Sequence, residues 1–503
     1  MVPLFKPTSY RKGTALAVGA TAVWKGVSFI NALLLAAYFG AHSRTDLYFY
    51  LILTMGVGLF FLQRLNAAVI IPQAMALDVN EPEKSRALLN GYLYMYAGIC
   101  GLIIGCGVFL PQQTVALFSR FDATYLYAQR TLVTWAFVFF ALQIWVTYLL
   151  ALLEMYKRFA TALFTPLNAV LPLACLLIFG RSHGIISMLY GFVISYGVQA
   201  VVFSIMLKKE LNWKLTRGEI YHSALFMKNL VSNQLIELAN IVSGILPLYL
   251  LSGLNAGTLS ALNYARQLSD SSNEVLTLRV TNISKIQLTE CAAHNRWVAF
   301  NTAYNTTHYF LWFILTPLVV FSVYFAPEII TIFFKRGAFS ATNAQEAAAF
   351  LRPRLGLVWL MTPVLMQNNV VAATRQLKAF LPYALAGILL FIATVPFTIN
   401  AWGAVAYVYA QLICCVIGLT INAFCFIKYV PEFALKPALR DGARLICLNV
   451  LALLPAGICA QYIGNNPWIT VLMSGIIFVT VLTGLTHYSG DLKRFLGAAT
   501  IRH

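Results

Sequence analysis

The sequence predicts an all-α polytopic membrane protein of about 14 transmembrane helices, built as two pseudo-symmetric six-helix lobes and a C-terminal helix pair. Three observations predict it: an apolar composition, apolar runs of membrane-spanning length, and an internal repeat. Of 503 residues, 60% are hydrophobic and 10% are charged, with mean hydropathy +0.75. Soluble domains carry about 25% charged residues. The runs approach 20 residues, enough to cross about 30 Å of hydrocarbon as helix. They are too long and too continuous for barrel strands of alternating polarity, and backbone in lipid must satisfy its own hydrogen bonds.

Taken in order, the spans fall at 15–39, 47–72, 88–110, 130–153, 159–180 and 184–207, then at 224–251, 257–283, 299–325, 345–373, 379–398 and 402–427, and last at 441–463 and 467–487. The basic segment Met1–Gly13 leads into a run too long for a cleaved signal peptide. The eighth run carries the most charge, with Arg266, Asp270, Glu274 and Arg279. No connection is long enough for a soluble domain. The expected division is 1–215 for the first lobe, 216–435 for the second, and 436–503 for the extra pair and tail.

The repeat supports this division. "PQQTVALFSRFDATYLYAQR" from Pro111 aligns without a gap on "PEIITIFFKRGAFSATNAQE" from Pro327, 216 residues later. Phe118 pairs with Phe334, Arg120 with Arg336, and Ala128-Gln129 with Ala344-Gln345. Each segment follows the third span of its half and precedes the fourth. Two copies in one orientation imply an axis along the membrane normal, a transporter architecture with the substrate site between halves.

Charge sets the orientation. With a cytoplasmic N-terminus, cytoplasmic segments hold 23 lysines and arginines, whereas the opposite loops hold five: Arg44, Arg120, Arg181, Lys335 and Arg336. The positive-inside rule then places both termini in the cytoplasm. The net charge of +18 does not indicate nucleic-acid binding, because the basic residues lie in short loops rather than on a soluble module. The nine cysteines lie mostly in apolar runs without metal-ligand spacing and read as small buried hydrophobes. No P-loop, HExxH or nucleophile elbow occurs, so no enzyme and no cofactor is expected. Transport would draw on an ion gradient (Na+ or H+), the membrane potential or product removal.

Ionisable groups within spans are costly and usually face a cavity or a partner. Lys25, Glu237, Arg266, Arg352 and Arg354 fall in the middle third of their spans, and Arg64 sits toward the cytoplasmic end of span 2. Asn233, Glu237 and Asn240 share one face of span 7; Asn263, Arg266, Asp270 and Asn273 share one face of span 8. Such stripes suggest a water-filled cationic interior that binds an anionic head group, since guanidinium matches phosphate with paired charge-assisted hydrogen bonds. Other roles stay open. Arg266 and Asp270 can neutralise each other, Lys25 can snorkel, Arg352 can stabilise a kink at Pro353, and Arg64 can lie at the interface. Glu237 is either a proton- or cation-linked carboxylate or a buried hydrogen-bonded one. Asn66 and Gln367-Asn368-Asn369 read as gate or helix-contact residues.

Three segments resemble the MurJ (MviN) lipid II flippases of the multidrug/oligosaccharidyl-lipid/polysaccharide (MOP) exporter superfamily. "FFKRGAFSATNAQ" (Phe333–Gln345) is similar to the segment before their tenth span. "YFGAHSRTDLYFY" (Tyr38–Tyr50) is similar to their first periplasmic turn, and "GTLSALNYARQL" (Gly257–Leu268) to their eighth span. The resemblance implies a monomeric inner-membrane flippase carrying an undecaprenyl-pyrophosphate-linked saccharide to the periplasmic leaflet by alternating access. It implies a tail groove along 441–463 and 467–487, puts Asp46 on an acidic gating position and Lys25 close to a basic one. Departures are specific: Asn31 stands at a span 1 arginine position, Arg64 lies several residues beyond the expected span 2 arginine, and "ADRL" reads "ARQL", moving Arg266 by one position. The implied pyrophosphate clamp of Lys25, Asn31, Arg64, Arg266, Arg352 and Arg354 is therefore rearranged, with Asp46, Glu237 and Asp270 as gating or ion-linked groups. Two other functions remain to be weighed. A multidrug or cation antiporter of the same superfamily would show an acidic cavity, and an envelope-synthesis scaffold would need no polar interior.

Overall fold

The computed structural model describes residues 10–218, 224–272, 277–463 and 466–500, and every regular element in it is helical. Lys6, Asn273, Glu274 and Arg502 lie outside the described residues, as does the side chain of Asn233. The chain runs through α1 (Tyr10–Phe39), α2 (Ser43–Leu65), α3 (Ile71–Asn80), α4 (Pro82–Phe109), α5 (Pro111–Phe118), α6 (Ala123–Ala128), α7 (Arg130–Met155), α8 (Leu167–His183), α9 (Ile186–Glu210) and α10 (Ala224–Leu251). It continues through α11 (Thr258–Ser272), α12 (Leu278–Ala293), α13 (Trp297–Tyr324), α14 (Ala326–Phe334), α15 (Ala341–Ala373), α16 (Leu377–Trp402), α17 (Ala406–Tyr429), α18 (Lys436–Tyr462), α19 (Pro467–Tyr488) and α20 (Asp491–Thr500).

Among the described residues, 12 helical rods are long and apolar enough to cross a membrane, and Ile236–Leu251 adds a shorter apolar stretch. Their ends lie within a few residues of the expected spans. The eighth span, expected at 257–283, is described only in part. There α11 is described to Ser272 and α12 from Leu278, with residues 273–276 outside the described residues. Four charged residues in that stretch lower its apolarity below that of its neighbours. The second span is instead longer than expected: α2, a π-helical stretch Asn66–Ile70 and α3 make one rod of 38 residues.

Helix starts are written locally. Pro82, Pro111, Pro327 and Pro467 occupy the first turns of α4, α5, α14 and α19, where the missing N–H costs nothing. Ser340 and Asn343 form a reciprocal capping box on α15. Asp122 caps α6; hydrogen bonds from Thr124 and Tyr125 hold its carboxyl below the usual range. The 216-residue repeat thus has a structural counterpart: a proline-started short helix, a capped turn, then a span. In the first copy Gln129 separates α6 from α7; in the second α15 runs unbroken. Arg120 lies over the Tyr249 ring at 5.0 Å, whereas its counterpart Arg336 donates to Ile332 O at 2.9 Å.

The chain divides into two compact units, Met1–Ser260 and Ala261–His503. The core of the first packs α4, α7 and α9 around Leu88, Ile144, Leu152 and Phe203. Tyr96 and Tyr148 stack there at 4.5 Å, and each hydroxyl donates, to Asn66 Oδ1 (2.8 Å) and Leu89 O (2.7 Å). Asn66 is thus a helix contact. The core of the second packs α12, α13, α15 and α17 around Phe300, Tyr304, Met366 and Phe426. Asn369 Nδ2 donates to Thr281 O at 2.8 Å, again between helices.

In the second unit α18 and α19 pack on each other and α18 packs on α13. Gly442 of α18 lies flat on Trp312, which stacks on Trp359 at 4.4 Å. A Cβ at Gly442 would fall inside the Trp312 ring. Gly442→Leu should therefore push α18 off α13, at a cost of about 2 kcal/mol or more. A lower apparent melting temperature in detergent checks it; an unchanged melt rejects this contact as structural.

Candidate functional site

Mid-span charge gathers most tightly in the second unit. Arg266 lies eight residues into α11, about 12 Å along its axis, and Arg354 lies 13 residues into α15, about 20 Å along it. Arg354 is buried; its Nη2 donates to Asp270 Oδ1 at 2.8 Å and its Nε to Ser269 Oγ at 3.1 Å. From one turn before Asp270, Arg266 Nε donates to the other carboxylate oxygen, Oδ2, at 2.9 Å. Tyr407 lies beside Arg354. One carboxylate therefore answers two guanidiniums, and the group keeps one net positive charge.

The two arginines differ in what is left over. Arg354 is enclosed and positions the carboxylate. The Arg266 side chain is 47% exposed, and its terminal nitrogens have no partner among the described residues. Its free fork can bind an anion. Arg352, two residues from Arg354, lies about 200° around α15 and is exposed, without an ion pair among the described residues. The structure joins Arg266, Asp270 and Arg354 and leaves Arg352 apart.

In the first unit the expected residues do not converge on one carboxylate. Lys25 is half-buried, with Nζ over the Trp24 ring at 4.5 Å. Asn31 is buried and its Nδ2 donates to Ala169 O at 2.9 Å, joining α1 to α8. Arg64 is exposed, with its guanidinium over the Phe60 ring at 4.8 Å. Glu237 is half-buried and accepts from Asn240 Nδ2 at 3.4 Å, the one described contact of the span 7 stripe.

Asp46 is a well-satisfied carboxylate in this unit. It is 3% exposed, near the start of α2. It accepts Gly257 N–H at 2.6 Å, Ser260 N–H at 2.7 Å and the Ser260 hydroxyl at 2.5 Å. These donors are the orphan groups of the first turn of α11, where a negative charge is favoured. Gly257 makes the approach possible: its φ is +98°, and a Cβ there would lie 2.9 Å from Ala41 O.

Two of the motif segments thus meet physically, "YFGAHSRTDLYFY" supplying Asp46 and "GTLSALNYARQL" its donors. A family model described as lipid II flippase MurJ matches residues 35–479. The chain belongs to the MurJ family. It is accordingly a multi-pass membrane transporter of the MOP superfamily. Its fold is similar to that of a lipid II flippase MurJ in an inward closed conformation, with TM-score 0.77 and 19% identity over 95% of this chain and 99% of that one. An inward-facing multidrug resistance MATE family transporter of the MOP superfamily gives TM-score 0.53 at 13% identity, covering 84% of this chain and 96% of that one. The Vibrio cholerae MATE transporter VcmN in its bent form gives 0.52 at 14%, covering 86% and 99%. No curated protein matches by sequence.

Sequence reasoning missed Ser269, Tyr407 and the Gly257–Ser260 donors. Ser269 carries no periodic signal, and its partner Arg354 lies 85 residues away. Gly257 and Ser260 were inside a recognised motif, but only geometry shows that their N–H groups point at Asp46.

Asp46→Asn keeps the shape and replaces one acceptor by a donor facing N–H groups. It should cost roughly 1.5–3 kcal/mol at the start of α11 and speed amide exchange at Gly257–Ser260. Exchange identical to that of the parent would remove the clamp.

Proposed function

We propose that the chain is a flippase for an undecaprenyl-pyrophosphate-linked saccharide, lipid II or a related cell-envelope glycan precursor. It would move its substrate from the cytoplasmic to the periplasmic leaflet by alternating access. The observation that carries the reading is the net positive Arg266–Asp270–Arg354 network in the membrane interior of a MurJ-family chain. Two arginines on one carboxylate are an unfinished ion pair. A pyrophosphate completes it with bidentate, charge-assisted hydrogen bonds from Arg266. A cationic drug would meet repulsion at the same place, which disfavours the antiporter reading.

Residues take distinct parts. Arg266 contacts the phosphate, Arg354 and Ser269 hold Asp270, and Lys25 supplies a second cation in the first lobe. Arg352 and Arg64 serve as outlying attraction points. Asp46 gates through α11, and Glu237 is the candidate for coupling to Na+ or H+. Asn31 fixes α1 rather than binding substrate. The working division is 1–215, 216–435 and 436–503, which the repeat supports. We place the chain in the bacterial inner membrane as a monomer with both termini cytoplasmic, from the 23-to-five bias of basic residues.

Reconstitution into vesicles with a fluorescent polyprenyl-pyrophosphate-linked saccharide tests the proposal. Arg266→Ala should slow translocation by about 10- to 100-fold, the worth of a charge-assisted hydrogen bond to phosphate. Lys25→Ala should slow it in the same direction. Near-parental rates in both variants would overturn the site. A parent protein that moves none of the pyrophosphate-linked substrates would overturn the function.

A further inference from the structure

A cavity in the second unit lies where α13 and α14 meet the helix pair α18–α19. It measures about 460 Å3 and is lined by Tyr324, Glu328, Gln461 and Thr470 over Gly457. Among the described residues no basic side chain lines it. Glu328 sits in the first turn of α14, where the helix dipole accounts for an acidic residue. The dipole does not account for Glu328 Oε2, which is shut off from solvent and has no hydrogen-bond partner among the described residues. A carboxylate oxygen buried bare is costly, and native structures supply such atoms with a donor.

That oxygen is closed to the cavity too, but the rest of the Glu328 side chain lines it with no ion pair among the described residues, and the position of the cavity narrows what the counter-ion can be. Tyr462 closes α18 and Trp468 opens α19; they are 84% and 63% exposed, and such amphipathic rings mark the head-group level of a bilayer. Ile458, Ile469 and Leu472 beside them are also exposed, as lipid-facing residues are. A molecule entering from this side brings an acyl chain to the outer surface and a polar head to the cavity.

Chemistry selects the head. The wall offers acceptors suited to a three-donor cation: the Glu328 carboxylate, the Gln461 amide carbonyl, and the Thr470 and Tyr324 hydroxyls. The Tyr324 ring, 45% exposed, adds cation–π surface. A divalent metal would want several anionic oxygens, and one carboxylate is present. We propose that this cavity is a head-group site for a phospholipid bearing a primary ammonium, with Glu328 as its counter-ion. The site shares no residue with the Arg266–Asp270–Arg354 network, so it stands whatever the transported substrate is.

The full chain is reconstituted in bilayers of equal phosphatidylethanolamine, phosphatidylcholine and phosphatidylglycerol with matched tails, and retained lipids are counted by native mass spectrometry. The parent should retain phosphatidylethanolamine over both others by at least about threefold. The quaternary ammonium of phosphatidylcholine has no N–H to donate, and phosphatidylglycerol has no cation. Glu328→Gln should bring retention down to the phosphatidylcholine level. If that variant does not fold, Ala460→Phe, which fills the cavity and keeps the carboxylate, decides in its place. Equal retention of all three lipids by the parent, or an undiminished preference in the deciding variant, overturns the proposal.

Discussion

The sharing of one carboxylate between two guanidiniums is the constraint on which the second unit's polar interior depends. A charge held at that depth is tolerated when it is paired, hydrogen-bonded or turned to a water-filled cavity. Asp270 answers Arg354 completely and Arg266 in part, so burial and availability are divided between two residues that sequence alone makes equivalent. Ser269 and Tyr407 complete the enclosure of Arg354. The surplus charge stays on the residue with exposed nitrogens, where an anionic ligand can use it.

The carboxylate near the start of α2 works by other means. Asp46 is met by backbone N–H groups and a hydroxyl at the start of α11. That helix is held at its first turn by a carboxylate and near its last by an arginine. The first contact lies within Met1–Ser260 and the second within Ala261–His503. The single-position shift of Arg266 relative to the family pattern is compatible with this frame, because α15 supplies a partner for Asp270.

Much of the fold was legible because hydropathy is local: a run of about 20 apolar residues identifies itself without reference to the rest of the chain. Prolines at helix starts and the repeat at 216 residues were legible for the same reason. Of the site, the residue types were readable and the pairings were not. Arg352 and Arg354 must point about 200° apart on any helix, but which of them turns to Asp270 is set by an element 84 residues away. Glu328 drew no notice, because a carboxylate at a helix start looks ordinary until its oxygen is found without a donor.

The unequal fates of Arg120 and Arg336 carry an evolutionary consequence. The elbow around each of them has the same plan, a proline-started short helix and a capped turn. One arginine now rests on a neighbouring aromatic ring while the other closes its own helix. The copies remain alike as scaffolding and have ceased to be interchangeable as parts. A chimera that exchanged them would inherit correct helix starts and mismatched surroundings.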